Sequence, residues 1–171
     1  MKVLYLSTST NFEELVLDSV EASNQNKYGK MHSFNEKIDL VTNEPTADYH
    51  SFHSKDNKEK LFLCVKSPQL NVALQAIREK LIATRGYQFK VETKDICYVR
   101  ISPEQAAILP RNQQINVSVK VYGVFYQANT KNSFLQLELT GFKSYPLVHF
   151  EWGKYFINDG CKMNISLFSL F

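Results

Sequence analysis

The chain has 171 residues, of which 44% are hydrophobic, 22% charged and 13% aromatic. This length favours one domain with a sizeable core, and the composition excludes collagen-like, low-complexity and broadly disordered classes. The net charge of +3 is uneven, because residues 1–50 carry −4, residues 51–100 carry +5 and residues 101–171 carry +2. A basic middle is compatible with a polyanionic partner, although a solvated basic face is the simpler explanation of charge alone.

The sequence indicates an intracellular, soluble protein. The start, "MKVLYLSTSTNFEEL", breaks into Ser and Thr before it reaches the length of a signal peptide. No apolar run approaches the roughly 20 residues of a membrane-spanning helix, so we expect no membrane partner. The three cysteines, Cys64, Cys97 and Cys161, are odd in number and far apart, which favours a reducing compartment.

The first third of the chain predicts short elements. A strand is predicted for "KVLYLS", and the capping-box spacing from Thr10 to Glu13 predicts a helix near residues 11–20. Next come a predicted strand, "KIDLV", and a predicted charged loop, "HSFHSKDNKEK". The histidine pair in that loop has no nearby Cys or acidic cluster, so no metal site is expected.

The middle of the chain predicts a strand that leads into a long helix. Alternation predicts the strand in "KLFLCVK". A helix over about 68–85 follows, with Ser67 as N-cap, Pro68 at the first helical position and Gly86 as the C-terminal stop. Its apolar stripe predicts an amphipathic helix laid on a sheet, and consists of Leu70, Leu74, Ile77, Leu81 and Ile82.

A strand, a short helix and a hairpin are predicted next. "DICYVRI" predicts the strand, and the capping-box residues from Ser102 to Gln105 open the helix. The hairpin is "INVSVKVYGVFYQANTKNSFLQLELTGF". Within residues 115–122 and 134–140 its odd positions are aliphatic and its even positions are polar or aromatic. A turn centred on Ala128 would place Tyr122 opposite Phe134 and Lys120 opposite Gln136. One or two further strands are expected in the aromatic remainder.

These elements predict an α+β, β-dominated fold in a single domain over residues 1–171. Strands, a helix and a late hairpin fit the order of an OB-like antiparallel barrel or sheet with one long amphipathic helix. The strand from Asp95 to Ile101 and the aromatic C-terminus would be additions to that plan.

Aromatic and basic residues share the non-aliphatic strand faces, as single-stranded nucleic acid requires. Rings stack on bases of any identity while Lys and Arg contact phosphates. Phe62 and Lys66 share one face of their strand, and Tyr122, Phe134 and Lys120 share the polar face of the hairpin. Further phosphate contacts are expected from Lys90, Lys94, Arg100, Arg111, Lys131 and Lys143. In the alternative interpretation, the rings pack beneath the helix or the C-terminal segment.

The motifs of catalysis are missing from the sequence. It contains no Gly-rich phosphate loop, no GxSxG and no HExxH. Cys64 and Cys97 lie in strand patterns without an evident histidine partner, which favours structural thiols. We therefore expect no enzyme, no catalytic residue, no cofactor, no metal and no small-molecule substrate.

Two blocks resemble viral single-stranded DNA-binding proteins of the poxviral type and, more distantly, those of phages and baculoviruses. The first is "KDNKEKLFLCVKSPQLNVALQAI" and the second is the hairpin; together they cover about a third of the chain. The resemblance implies an OB-like fold, self-association, and coating of single-stranded DNA, or alternatively RNA, during replication or recombination in the host cytoplasm or nucleus. It also implies that Phe62, Lys66, Tyr122 and Phe134 line the groove.

The C-terminus departs from this family and supports an alternative. Many members end in an acidic tail that recruits partners, whereas this sequence ends in the apolar "NISLFSLF". Such an ending favours an ordered strand that could be exchanged between subunits. The alternative function is a non-enzymatic structural or protein-interaction domain that uses its aromatic C-terminal third for assembly.

Overall fold

A computed structural model describes residues 1–21, 27–90 and 94–146 of the chain. The described residues form eight strands and two helices. The strands are β1 (Lys2–Tyr5), β2 (Ser19–Glu21), β3 (Gly29–Val41), β4 (Tyr49–His53), β5 (Leu61–Lys66), β6 (Ile96–Ile101), β7 (Gln113–Gln127) and β8 (Ser133–Pro146), and the helices are α1 (Pro68–Arg85) and α2 (Pro103–Ile108).

The strands form one mixed sheet in the order β1-β3-β7-β8-β6-β5-β4, with β2 paired to β3. Two neighbouring pairs, β1–β3 and β6–β8, are parallel, and the others are antiparallel. The predicted β-dominated class is therefore confirmed. The strand from Asp95 to Ile101 is not an addition at the periphery, because β6 lies in the interior of the sheet between β5 and β8.

Helix α1 forms as its sequence predicts. The Ser67 hydroxyl accepts a hydrogen bond from the Leu70 N–H at 3.1 Å, and Gly86 ends the helix with a φ of 71°, which glycine adopts without a Cβ clash. The buried stripe differs at one position: Ala73 is buried, whereas Ile82 is 45% exposed. Neither described helix is long and apolar enough to cross a membrane.

The core lies between α1 and the sheet. The helix contributes Leu70, Ala73, Leu74, Ile77 and Leu81, all at most 1% exposed. The strands contribute aliphatic residues at alternate positions, as a half-covered sheet requires. Fully or nearly fully buried strand residues include Ile38, Leu40, Leu63, Val65, Val99, Ile115, Val117, Val119, Val121 and Leu139.

The predicted helix near residues 11–20 is wrong. Thr10 does not cap a helix, because its hydroxyl accepts a hydrogen bond from the Ser7 N–H at 2.8 Å. The segment is irregular and leads into β2. Leu15 and Leu17 are 3% and 6% exposed, and residues two apart cannot both face the same core from a helix, so their burial favours an extended chain.

The predicted charged loop also begins later than expected, because "HSFH" belongs to β4. Pairing with β5 satisfies its backbone, with Phe52 opposite Phe62. The Tyr49 hydroxyl anchors the start of β4, since it lies 2.9 Å from the carbonyl oxygens of both Pro110 and Gln113. The irregular, charged part of the connection is confined to residues 54–60.

The short connection between β3 and β4 forms hydrogen bonds with two strands that are not neighbours in the sheet. Thr46 exchanges two backbone hydrogen bonds with Ile115 of β7, at 2.8 and 2.9 Å. Two residues later, the Asp48 carbonyl accepts a hydrogen bond from the Lys66 N–H of β5 at 2.9 Å. Strands β5 and β7 therefore lie within reach of one short connection, although three positions separate them in the sheet order.

The β7–β8 hairpin has a different register from the predicted one. Its strands end at Gln127 and resume at Ser133, so the turn is not centred on Ala128. Phe134 lies opposite Phe125 rather than Tyr122. Lys120 lies opposite Glu138 rather than Gln136. The register shifts between Val121 and Gly123, which makes Tyr122 the extra residue of a bulge.

A second shift in the hairpin makes Thr140 an extra residue on β8 and reverses the alternation beyond it. Phe142, predicted on the polar face, lies opposite the buried Val117 and packs against the core. Lys143 lies opposite Asn116 on the other face. Strand β8 continues past Phe142 to Pro146. The further strands predicted in the aromatic remainder fall on residues 147–171, which lie outside the described residues.

Candidate nucleic-acid interface

The sheet face opposite α1 carries a group of rings and charges, which we call the ring face. Strand alternation creates it, because the aliphatic residues of each strand turn toward the helix and their neighbours turn away. The strand register aligns one row across β4, β5, β6, β8 and β7, and the row continues on β3 to Asp39, which is 8% exposed. The ring face comprises Phe52, Phe62, Tyr98, Arg100, Lys120, Tyr122, Phe134 and Glu138.

Rings and a cation pack together where β4, β5 and β6 meet. The Phe52 and Phe62 rings are stacked with centroids 5.9 Å apart, and Tyr98 meets Phe52 edge-on at 5.8 Å. The Arg100 guanidinium carbon lies 5.7 Å from the centroid of the Phe62 ring. Tyr98 is 58% exposed while Phe62 is half-buried, so the group offers a supported aromatic surface to solvent.

The hairpin supplies a second part of the ring face. Phe134 is 39% exposed, and Tyr122 is half-buried. The Lys120 ammonium lies 5.9 Å from the Tyr122 ring centroid and 3.5 Å from a carboxylate oxygen of Glu138. Lys120 is therefore paired with an acid in the same row, which reduces the positive charge it presents to an anion.

The environment of Tyr122 keeps its hydroxyl protonated. Burial raises the pKa of Tyr122 above its ordinary value, and the nearby Glu138 carboxylate raises it further, while Arg100 lowers it. A neutral phenol has an O–H that can donate a hydrogen bond and a ring that can stack on a base. The Tyr122 side chain is thus suited to contact an unpaired base without carrying a negative charge.

A cleft opens between β6 and β8, beside the two ring groups. These strands are joined by a single registered pair, Arg100 opposite Glu138. The β6–β8 cleft has a volume of about 390 Å³ and reaches from the ring face to Leu74 of α1. The rings of Phe62, Tyr98, Tyr122, Phe134 and Phe89 line it.

The charged residues that line this cleft are basic, while the Glu138 carboxylate lies at its edge opposite Arg100. Its lining includes four basic residues, Lys60, Arg78, Lys90 and Arg100. Among the described residues that line it, none is acidic. Since a phosphate chain is attracted by such a field, the rim can hold an anionic strand while the rings contact its bases.

The structure brings together six of the eleven residues predicted from sequence. Phe62, Lys90, Arg100, Tyr122 and Phe134 line the β6–β8 cleft, and Lys120 lies next to Tyr122. The predicted facing pairs across the hairpin are corrected by the register, but both rings still reach the same cleft.

The other five predicted residues lie away from the β6–β8 cleft. Lys66 ends β5, on the face of Phe62 but at the far end of the strand. Arg111 lies in the α2–β7 connection, beside a second cavity lined by Tyr49 and His50. The remaining three are exposed: Lys94 precedes β6, Lys131 lies in the hairpin turn, and Lys143 lies 5.4 Å from the Tyr145 ring.

Sequence reasoning missed Tyr98, Phe52 and Lys60. Tyr98 could have been found, because Cys97 and Val99 alternate with it in "DICYVRI" and turn toward the core. Phe52 was hidden by the assignment of its segment to a loop. Lys60 carries no local signal, since only the folded chain places the end of its loop beside the β6–β8 cleft.

Cys64 and Cys97, which the sequence predicts to be structural thiols, lie in strands β5 and β6. Cys97 faces the core, and Cys64 is half-buried on the opposite side of the sheet. Burial raises the pKa of the Cys64 thiol and the Asp48 charge adds to the effect, so the reactive thiolate is disfavoured. Within residues 1–21, 27–90 and 94–146, no three His, Cys, Asp or Glu side chains are grouped as a metal site.

Comparisons with known proteins do not indicate a function, so the function is inferred from the geometry of the ring face and the β6–β8 cleft. No family model, curated protein or solved structure significantly matches the chain.

Proposed function

We propose that the chain is an OB-like module that binds single-stranded DNA by stacking bases on the ring face and contacting phosphates with Lys and Arg. The observation that carries the proposal is the lining of the β6–β8 cleft, where exposed rings occur together with four basic residues. Binding of this kind needs no cofactor and no catalytic residue, and it tolerates many sequences because every base has a π-face.

The strand order supports the OB-like part of the proposal. If β3 and β4 are two parts of one bent strand, the order β4-β5-β6-β8-β7-β3 returns to its own start. A short connection through Thr46 joins those two parts, as a partly open Greek-key barrel requires. Counted in this way, β5 and β6 are the second and third strands, whose face binds oligonucleotides in OB-folds. Phe62, Tyr98 and Arg100 lie on that face.

The positions of the helices along the chain differ from the OB-like order of elements that the sequence suggested. The long helix α1 lies between the second and third strands, whereas the short helix α2 lies between the third and fourth. The exposed loops at residues 54–60 and 128–132 lie at the ends of the barrel strands and carry lysines, including Lys60 and Lys131. Such loops can extend the phosphate path beyond the ring face.

A role in viral replication or recombination is consistent with this chemistry and with the resemblance to poxviral single-stranded DNA-binding proteins. Coating a replication intermediate requires binding that ignores sequence and withstands competition from duplex. Flat rings contribute the preference for single strands, because the bases of a duplex are already stacked on each other. The proposed partner is therefore unpaired DNA, with RNA as the closest competitor.

Fluorescence anisotropy with labelled oligonucleotides tests the proposal. We expect submicromolar affinity for single strands, weaker binding to duplex, and a steep loss of affinity with salt. Tyr122→Ala and Phe134→Ala should each weaken binding by about 1–3 kcal/mol if their rings stack on bases. Tyr5→Ala is the matched control, because Tyr5 is 77% exposed on β1 at the other edge of the sheet.

The result that contradicts the proposal is equally specific. A folded protein that ignores oligonucleotides at low salt, or whose affinity does not change in both ring variants, would overturn it. Sedimentation velocity with and without oligonucleotide tests the expected self-association on DNA. Concentration-dependent oligomers that do not respond to oligonucleotide would favour the assembly-domain alternative.

A further inference from the structure

The β6–β8 cleft is closed at both ends by backbone pairing. At one end, Arg100 lies opposite Glu138. At the other end, Phe89 pairs with Ser133, and the Ser133 N–H donates to the Gln88 carbonyl at 2.6 Å. Between these ends, no β6–β8 ladder joins residues 96–98 to residues 134–137. The opening is a slot of defined length within the sheet.

The size of the slot suits one flat ring system. The paired ends of the slot on β8, Ser133 and Glu138, are five residues apart, which corresponds to roughly 16 Å at about 3.3 Å per residue. The volume of about 390 Å³ falls within the range of small-molecule sites, which is about 300–1,000 Å³. A single nucleobase fits within such a space.

The chemistry of the slot is graded from apolar to polar. Leu74 and Leu137 contribute apolar surface on its inner side, and Ile96 contributes apolar surface on the side of the ring face. Gln136 lines it with a half-buried amide, whose Nε2 donates one hydrogen bond to the Phe134 carbonyl at 3.2 Å and retains a second N–H beside the Oε1 acceptor. A nucleobase has the matching properties, because its faces are apolar and its edge carries hydrogen-bond donors and acceptors.

We propose that the β6–β8 cleft takes up one nucleobase of the bound strand and distinguishes bases by their hydrogen-bonding edge. The inference rests on the proposed function and adds a selective position to otherwise sequence-tolerant binding. The inserted base leaves the stack on the ring face and places its edge against Gln136 and the strand backbone. Phe134 and Tyr122 at the mouth contact its faces, and Arg100 and Lys90 contact the flanking phosphates.

The test compares 15-residue oligonucleotides made of only dA, only dC or only dT. With the full chain, we expect dissociation constants that span at least about fivefold, as one base-edge contact produces. Gln136→Leu should compress that span to within about twofold while the salt dependence stays the same. Gln75→Leu is the matched control, since Gln75 is exposed on α1 and bonds Glu79.

A second measurement locates the base without a folding risk. Backbone amide NMR shifts are recorded on adding nucleoside monophosphates or deoxyribose phosphate to the unaltered protein. We expect shifts at residues 96–98 and 134–137 with the nucleotides, and none there with the sugar phosphate. Shifts with the sugar phosphate would identify a phosphate site instead, and would overturn the proposal.

Failure of this inference is distinguishable from failure of the proposed function. Equal affinity for the three homo-oligonucleotides, with salt-dependent binding retained, overturns base uptake and leaves the stacking function intact. A span of affinities that Gln136→Leu does not alter also overturns it, if the nucleotides leave residues 134–137 unshifted. Absence of binding to every oligonucleotide overturns both.

Discussion

The two faces of the sheet use the same strands but treat their apolar side chains differently. On the face toward α1, Leu63, Val99 and Val119 are fully buried, and each packs among other aliphatic groups. On the ring face, Tyr98 and Phe134 are 58% and 39% exposed, and a cation lies over Phe62. Burial of apolar area stabilises the fold, whereas partly exposed rings keep apolar area available for a ligand.

This contrast separates stability from recognition in a way that substitutions can test. Residues that face α1 should affect unfolding and have little effect on the affinity of the folded protein. Residues of the ring face should do the reverse.

Ile77→Ala tests the helix-covered face. Ile77 is fully buried between α1 and the sheet, so truncation should lower the free energy of unfolding by about 2–5 kcal/mol through lost burial and the cavity left behind. Urea denaturation measures the change. The affinity of the folded variant for oligonucleotides should stay within about twofold of the parent. A loss of less than about 1 kcal/mol would contradict the assigned packing.

Tyr98→Ala tests the ring face. We expect affinity for single-stranded DNA to fall by about 1–3 kcal/mol, because the exposed ring would no longer stack on a base. The free energy of unfolding should change by less than about 1 kcal/mol, since most of the ring is already in solvent. Anisotropy and urea denaturation measure the two quantities on the same samples. A stability loss larger than the affinity loss would assign Tyr98 to packing.

Glu138→Gln should strengthen the binding of single-stranded DNA, unlike the other substitutions on the ring face. The substitution removes the carboxylate that pairs with Lys120 at 3.5 Å and leaves an amide of similar shape. The freed ammonium should add about one phosphate contact and steepen the salt dependence by about 0.7 in slope. Lys120→Gln is the reciprocal variant and should reduce the slope or leave it unchanged. Weaker binding by Glu138→Gln at low salt would contradict the electrostatic assignment.

Tyr122→Phe should have the smallest effect, a change in the free energy of unfolding that is limited to alkaline pH. Burial raises the pKa of Tyr122 in the folded state above its unfolded value of 10.0. The folded protein therefore retains the proton more strongly, and the associated stability is present below pH 10 and lost as pH rises through the raised pKa. The parent should lose more unfolding free energy than Tyr122→Phe between pH 9 and about pH 11.5. Parallel curves across that range would contradict the shift.

Local signals in the sequence predicted the elements whose ends are determined by their own residues. Helix α1 begins at the Ser67 cap and ends at Gly86, and both signals lie within one turn of the helix. The strand alternation of β5 was equally visible, because Leu61, Leu63 and Val65 all turn to the core. Thr10 shows the limit of such signals, since its hydroxyl found a partner in a loop instead of a helix.

Pairing between strands was predictable only where alternation is regular. The bulges at Tyr122 and Thr140 each insert one residue and reverse the apolar alternation, from Val121 to Val124 and from Leu139 to Phe142. The sequence shows both reversals beside a glycine, but the predicted register assumed a continuous alternation. The ring and lysine residues of the hairpin were recognised as a group, but their partners were assigned wrongly. The β6–β8 cleft could not be foreseen, because it depends on contacts between segments about 40 residues apart.

The single registered pair between β6 and β8 also determines how the sheet can deform. On one side of this pair, strands β1, β3, β7 and β8 are joined by many registered pairs, and on the other side so are β6, β5 and β4. Strands β6 and β8 themselves share only one registered pair. Mechanical compliance is concentrated at such a join, since few hydrogen bonds resist its opening. Widening the gap would therefore load the two pairs that close it, Arg100 with Glu138 and Phe89 with Ser133, before it strained the longer ladders on either side.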